Sequence, residues 1–371
     1  MKVLIAHADL RANGGAESYA LAIKDRLLAA GHTVGLLDIT GHTPPDTPHS
    51  DPALFRLGRM AGLRRFTLWK YALVCRILPR IAADYDYTVL SFGEGPEVPC
   101  PSLHIRHAPA VFSSHPDLLA VLGARKPTMQ LRRLYAWVCR QVAGVNSAKT
   151  AQVRTVTNTQ WTAKQALTHC NIANPVVLYP KVAPARHAQA SVRREPYHMI
   201  AIGRIVPNKR LEDAIAVLDQ LIARGLPATL QIIGRADSAY ATRFLHRCQN
   251  HPGLILNPNA DRATLIQALA QARVGIHPYR SEHFGIAVAE MICAGVVPLV
   301  HNSGGVCELV ENPELRFSDT ADLADKAMRL MQLPVKDCEA LSARLQSTDA
   351  LQQALNFDAH LDQIIKTELA A

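Results

Sequence analysis

The chain alternates short, uninterrupted apolar runs with longer stretches of helical periodicity, and it does so in two successive halves. In the first half KVLIAHA, TVGLLDI, YTVLSFG, SLHIRHA, RTVTN and PVVLYP have the length of strands. Helical patterns such as AESYALAIKDRLLAAG separate several of them, that one closing on Gly31 as a C-cap. In the second half YHMIAIGRI, ATLQIIG, GLILNPN, VGIHPY and VVPLVHN alternate with KRLEDAIAVLDQLIARG, YATRFLHRCQN, DRATLIQALAQA and FGIAVAEMICAG. Strands that lack polar alternation are buried on both faces, so they belong to parallel sheets covered by helices. The pattern therefore predicts two doubly wound α/β domains.

The segment PKVAPARHAQASVRREP has no periodicity and reads as a linker. It sets the expected boundaries: a first domain over 1–181, a linker over 182–196 and a second domain over 197–356. The last helical pattern, within about 357–371, is expected to pack back on the first domain. In open α/β sheets ligands bind outside the carboxyl ends of the strands. Two such domains joined by a linker would place that crevice in a cleft between them.

Composition narrows the function classes. With 371 residues and 49% hydrophobic content the chain can bury two cores without staples. Its eight cysteines are scattered, with no CxxC and no zinc-finger spacing, which fits reduced thiols in a reducing compartment. The start MKVLIAHAD is too brief for a signal peptide and reads as a first buried strand. No apolar run reaches the roughly 18–20 residues of a membrane span. A cytoplasmic protein is the expectation.

Charge is unevenly placed: residues 1–190 hold 22 Lys+Arg against 11 Asp+Glu, and the rest hold 18 against 20. The first half is thus expected to meet something anionic. No nucleic-acid motif is present, which sets nucleic acid aside in favour of a membrane surface or a phosphorylated acceptor. From Pro52 to Ala83 there is no acidic residue, while Arg56, Arg64, Lys70 and Arg76 interleave with Phe55, Phe66 and Trp69. A second cluster, ARKPTMQLRRLYAW, follows at 124–137. Such segments suit peripheral docking on anionic lipid, and equally a pair of helices with one buried and one solvated face.

Four motifs carry chemistry. In EHFGIAVAE, Glu282 and Glu290 lie about 12 Å apart along the axis if the whole stretch is helical. The acid/nucleophile pair of a retaining glycosidase needs about 5–5.5 Å. The arrangement instead suits a helix beginning near Phe284, with the N–H groups of Phe284, Gly285 and Ile286 forming an anion site. The two carboxylates would then accept hydrogen bonds from hydroxyl groups on either side. An ordinary amphipathic helix with two exposed glutamates also fits this spacing. In GRIVPNK, after the first strand of the second half, Arg204 can fork two phosphate oxygens and Lys209 can add a point charge. In NGGAE, Gly14 and Gly15 permit a tight turn and backbone contact with phosphate. In HIRHAP, His107 can hydrogen-bond a sugar or donate to an oxyanion. Each motif alone also fits an ordinary surface turn or strand end.

Taken in order, these motifs resemble the GT-B-fold retaining glycosyltransferases of family 4 (glycosyltransferase group 1), together with NTQWTAKQ and LYPKV. EHFGIAVAEMICAGVVPLVHNSGG is especially similar to the lipid-linked-oligosaccharide mannosyltransferases that use GDP-mannose. The resemblance implies a retaining transfer of a hexose, mannose above all, from a nucleotide-sugar to a glycan or lipid-linked acceptor. The other readings left open are a UDP-hexose transferase with a soluble acceptor and a non-catalytic nucleotide-sugar-binding protein. Roles follow by resemblance: Glu290 on the ribose hydroxyls, Glu282 on the transferred sugar, and His283, Phe284, Gly285 and Ile286 lining the donor phosphates. Arg204 and Lys209 would neutralise the diphosphate, Gly14 and Gly15 would approach it from the other domain, and His107 would sit near the reacting sugar. No cofactor and no essential metal are implied. Asp84-Tyr85-Asp86 imitates a metal-binding DxD but reads as a turn entering a strand.

Overall fold

The computed structural model describes residues 1–12, 14–43, 66–108, 111–112, 126–183 and 194–369. The chain divides into two compact units, Met1–Lys181 with Asn356–Ala371, and Val182–Leu355.

The first unit holds β1 (Lys2–Ala6), β2 (Thr33–Asp38), β3 (Gly41–Thr43), β4 (Tyr87–Leu90), β5 (Ser102–Arg106), β6 (Arg154–Thr157) and β7 (Val176–Val177). They form one sheet in the order β3-β2-β1-β4-β5-β6-β7. Around them run α1 (Gly15–Ala29), α2 (Thr67–Ala82), α3 (Lys126–Ala143), α4 (Ser147–Thr150) and α5 (Gln160–Cys170). Val3 to Ala6 are fully buried, as a central strand covered on both faces must be. Val3 and Ile5 meet Tyr19, Ile23 and Leu27 of α1, whereas Leu4 and Ala6 meet Val74 and Leu78 of α2.

The all-parallel expectation fails at one edge, where β3 pairs antiparallel with β2. Asp38 accepts the N–H of Thr40 at 2.7 Å and turns the chain straight back. An antiparallel neighbour needs only such a turn, whereas a parallel one needs a crossover. Gly41–Thr43 has no apolar run to announce it.

The second unit holds β8 (His198–Ile202), β9 (Thr229–Gly234), β10 (Leu254–Pro258), β11 (Val274–His277), β12 (Val297–His301) and β13 (Arg316–Phe317). All its pairings are parallel, in the order β10-β9-β8-β11-β12-β13. Its helices are α6 (Leu211–Ala223), α7 (Ala239–Cys248), α8 (Arg262–Gln271), α9 (Ile286–Cys293), α10 (Thr320–Gln332), α11 (Val335–Gln346) and α12 (Asp349–Leu355). Side-chain caps start three of them: Ser238 for α7, Asp261 for α8 and Asp319 for α10.

The closing helix α13 (Phe357–Leu369) belongs to the first unit, where Phe357 and Leu361 enter the core beside α1. Burying each of these side chains is worth about 1.5–3 kcal/mol. Arg26 pairs with Asp362, and Lys181 with Asp358 at 2.7 Å.

In each sheet the strand order runs outward one way from one strand and then resumes on its other side: β1 lies between β2 and β4, and β8 between β9 and β11. Strand order reverses there, so the loops after β1 and β4, and after β8 and β11, diverge and leave a crevice. The four motifs fall on these loops or on the loop after the neighbouring strand β5.

Candidate functional site

In the second unit β8 is followed by Gly203, whose φ of 151° lets the chain turn away from the sheet. A Cβ on Gly234, in the adjacent strand, would lie 1.7 Å from the Gly203 carbonyl oxygen, so that position also requires glycine. The turn leaves Arg204 exposed and brings Lys209 back over the strand ends through a short 3₁₀ turn, Pro207–Lys209. Among the described residues the Arg204 guanidinium has no hydrogen-bond or ion-pair partner.

Lys209 does not stand free. Its Nζ lies 2.7 Å from Glu282 Oε2 and 4.2 Å from the centre of the Tyr279 ring. His277, the last residue of β11, places Nε2 3.1 Å from the same carboxylate oxygen. Burial pushes the Glu282 carboxyl up, but the Lys209 charge and the His277 hydrogen bond outweigh it, holding the group well below the usual carboxylate range. Burial lowers the His277 pKa, so its ring is neutral at pH 7 and donates Nε2–H to Glu282. A carboxylate, an ammonium and a neutral imidazole thus form one locked group at the mouth of the sheet.

The backbone of Glu282 is clamped as well. It bridges to Gly304, and its carbonyl accepts the N–H of Val306 at 3.3 Å. Gly304 has φ 87°, and a Cβ there would meet the Glu282 carbonyl oxygen at 2.3 Å. The Ser303-Gly304-Gly305 turn after β12 is therefore what sets the height of Glu282. Ser281 N–H donates to Ser303 Oγ at 2.9 Å and completes the clamp.

Helix α9 begins at Ile286, two residues later than its sequence suggests. Gly285 takes φ 93°, a left-handed conformation that only glycine adopts without strain, and it serves as N-cap. Phe284 is buried and packs the turn instead of opening the helix. No side chain caps α9, so its first-turn amides, Ile286 to Val288, have no acceptor within the helix and form the kind of end that takes an anion. His283 is half-buried in this turn, and its N–H donates to Glu282 Oε1 at 3.2 Å. Glu290 lies one turn into α9 and pairs with Arg262 of α8 at 2.5 Å. Both carboxylates of the motif are thus held by cations, an arrangement its spacing did not reveal.

In the first unit Gly14 caps α1 and donates its N–H to Glu17 Oε2 at 2.8 Å. Asn13 and Pro109 lie outside the described residues. Glu17 Oε1 lies 3.4 Å from Nε2 of His7, which is fully buried at the end of β1. His7 Nδ1 sits 2.9 Å from Ser91 Oγ. His107 donates Nε2–H to the Ser91 carbonyl at 3.0 Å and stands edge-on to Tyr19 at 4.9 Å. Gly14, Gly15 and His107 therefore converge on one crevice, and Arg204, Lys209, Glu282 and the α9 N-terminus on the other. Asp86 accepts the Lys2 N–H at the opposite, amino end of the first sheet, away from the crevice of that unit.

Sequence reasoning overlooked His7, His277, Arg262 and the Ser303–Gly305 clamp. His277 carried a signal close to that of His107, a histidine at a strand end with a proline one or two residues on. Arg262 carried none, since its partner is 28 residues away.

Residues 184–347 match the family model described as glycosyl transferases group 1. The second unit carries a glycosyl transferases group 1 domain. Lys209, Glu282 and Glu290 all lie within this group 1 domain. A GDP-Man:Man(3)GlcNAc(2)-PP-Dol alpha-1,2-mannosyltransferase of Dictyostelium discoideum is 47% identical over 60 residues, covering 16% of this chain and 11% of that protein. The protein of the same name from Homo sapiens is 25% identical over 165 residues, 40% of this chain and 34% of the relative. The chain thus spans about a tenth to a third of the length of these relatives. The whole chain superposes on WaaG, a glycosyltransferase involved in lipopolysaccharide biosynthesis, with a TM-score of 0.66, 12% identity and 100% coverage of both chains. The fold is GT-B.

Proposed function

We propose that the protein is a retaining hexosyltransferase that moves mannose from GDP-mannose to a lipid-linked glycan. The Lys209–Glu282–His277 group beside the uncapped N-terminus of α9 carries this reading. A nucleotide diphosphate brings two negative phosphates and two hydroxyl-rich rings, and the site offers matching groups. The α9 amides and Arg204 receive phosphate oxygens, Glu290 accepts from the ribose hydroxyls, and Glu282 accepts from the transferred sugar. In the reaction the bond from the anomeric carbon to the phosphate oxygen breaks and a bond to the acceptor oxygen forms on the same face. The acceptor proton passes to the departing phosphate. Arg204 and Lys209 stabilise the charge that develops there, electrostatic work that needs no metal or cofactor. The names of the mannosyltransferase relatives support mannose as the sugar, GDP as its carrier and a lipid-linked acceptor.

The acceptor side fits the same reading. Helix α3 contains no acidic residue and exposes Leu131 (71%), Leu134 (58%) and Trp137 (54%) next to Arg132 and Arg133. An apolar face fringed by arginine suits a peripheral seat on anionic lipid at the cytoplasmic face. Lys70 does not contribute, because it is buried against Asp9 at 2.8 Å. Most of the basic stretch before it, residues 52–65, lies outside the described residues, as do 124 and 125. No helix among the described residues is long and apolar enough to cross a membrane.

A thermal-shift panel of GDP, UDP and ADP tests the donor. A nucleotide at 100 times its dissociation constant stabilises by about 2.7 kcal/mol. GDP alone should give the large shift, and Glu290→Ala should remove most of it. Stabilisation by UDP alone would overturn the mannose reading in favour of a UDP-hexose donor.

A further inference from the structure

At the opposite end of the second sheet, away from Glu282, lies a cavity of about 410 Å³. It opens at the amino ends of β8, β11 and β12, and its lining includes Arg194, Arg273, Val297, Cys338, Glu339 and Ser342. Two guanidinium groups thus share one hollow. Arg194 donates to the carbonyls of Leu269, Ala272 and Ala294, the last turns of α8 and α9. Arg273 is only 7% exposed, and its Nη2 donates to the Leu333 carbonyl and to Cys338 Sγ at 3.0 Å. Among the described residues its Nε is buried without a partner, and its Nη1 has no acceptor. Neither arginine is paired with a carboxylate among the described residues.

The helix ends that Arg194 touches supply partial negative charge only, about half a unit for each helix. Arg273 is nearly buried and Arg194 half-buried, and Glu339, the exposed carboxylate at the rim, pairs with neither. One buried and one half-buried charge are thus short of a counter-ion among the described residues, a costly state for a protein interior. An oxyanion resolves it, because a guanidinium forms paired, charge-assisted hydrogen bonds with carboxylate or phosphate. The rest of the wall is mixed, with Val297, Gly295 and, close to Gly295, the Ser342 hydroxyl. We propose that this cavity is a second ligand site, which takes a small organic molecule bearing a phosphate or carboxylate group. It is separate from the nucleotide-sugar site, because all its lining residues sit at the other end of the strands.

Iodoacetamide labelling of Cys338 in the full chain, read by peptide mass spectrometry with inorganic phosphate as the probe, tests this. Phosphate at about five times its dissociation constant leaves about one molecule in six empty, so labelling should slow about six-fold. Cys100, in the first unit, should label at an unchanged rate. Ala343→Trp fills the exposed rim while leaving both arginines in place, and it should abolish the phosphate dependence. Arg273→Gln should weaken it, with a melting curve checking the fold. Cys338 labelling that is indifferent to phosphate, or equally protected in wild type and Ala343→Trp, would overturn the proposal.

Discussion

Replacing Lys209 by methionine keeps most of the aliphatic stem over Tyr279 and removes only the charge, which isolates the electrostatics of the site. Lys209 and Glu282 side chains are 19% and 15% exposed, so the pair is largely but not wholly dry. At 2.7 Å and an effective dielectric of about 20, the gross attraction is about 6 kcal/mol, most of it offset by desolvation. Removing one partner of a buried pair costs about 3–5 kcal/mol, and residual hydration places this site at the low end, about 3 kcal/mol. For a unit of this size that is a fall in Tm of about 6–12 °C. All three tryptophans, at 69, 137 and 161, lie in the first unit, so calorimetry and not tryptophan fluorescence must read the transition of the second.

The pH dependence carries a sign. The folded pKa of Glu282 is depressed, so the stability it contributes is complete above its unfolded value of about 4.3 and is lost as pH falls through the folded value. The gap between wild type and Lys209→Met should stay constant from neutral pH down to about 5 and narrow below about 4. Glu282→Gln keeps an oxygen for His277, and the double variant should cost at least about 1.5 kcal/mol less than the two single costs combined. Additivity within about 0.5 kcal/mol would refute the idea that these side chains act as one group.

His104 is fully buried on β5 with both ring nitrogens unpartnered among the described residues, and burial lowers its pKa to about 3. Between pH 6.5 and 5 the unfolded chain takes up a proton that the folded one refuses, so this residue removes about 2 kcal/mol of stability. His104→Leu should flatten that acid slope, read by tryptophan fluorescence of the first unit. Gly234→Ala should destabilise the second unit by more than about 2 kcal/mol, since its methyl group would collide with backbone at Gly203. A normal melting curve for it would show that the Arg204 turn is not sterically fixed. Leu134→Ser with Trp137→Ser should reduce sedimentation with anionic liposomes at least about ten-fold, at a cost of about 1.5–3 kcal/mol per apolar side chain. Unchanged sedimentation would remove α3 from the lipid-facing surface.

The sequence by itself determined the two doubly wound sheets, because the strands were apolar without alternation and the helices periodic. Burial on both faces leaves that signature whatever the neighbours are. It also placed Arg204, Lys209 and Glu282 in segments that follow strands and Glu290 in the helix after them, since spacing along a strand–loop–helix unit is a local property. Short edge pairings such as β2–β3 escaped, because a turn held by Asp38 needs no apolar run. What Glu282 and Glu290 actually hold was decided by tertiary structure alone. Lys209 is 73 residues from Glu282, and Gly304 is an essential part of the clamp only because Glu282 backbone lies against it. Separation along the chain hides such pairs, and only the parallel stacking of β8, β11 and β12 brings their ends together. The helix start moved for the same reason: Phe284 could have opened α9 by propensity, but the left-handed turn at Gly285 put it in the core.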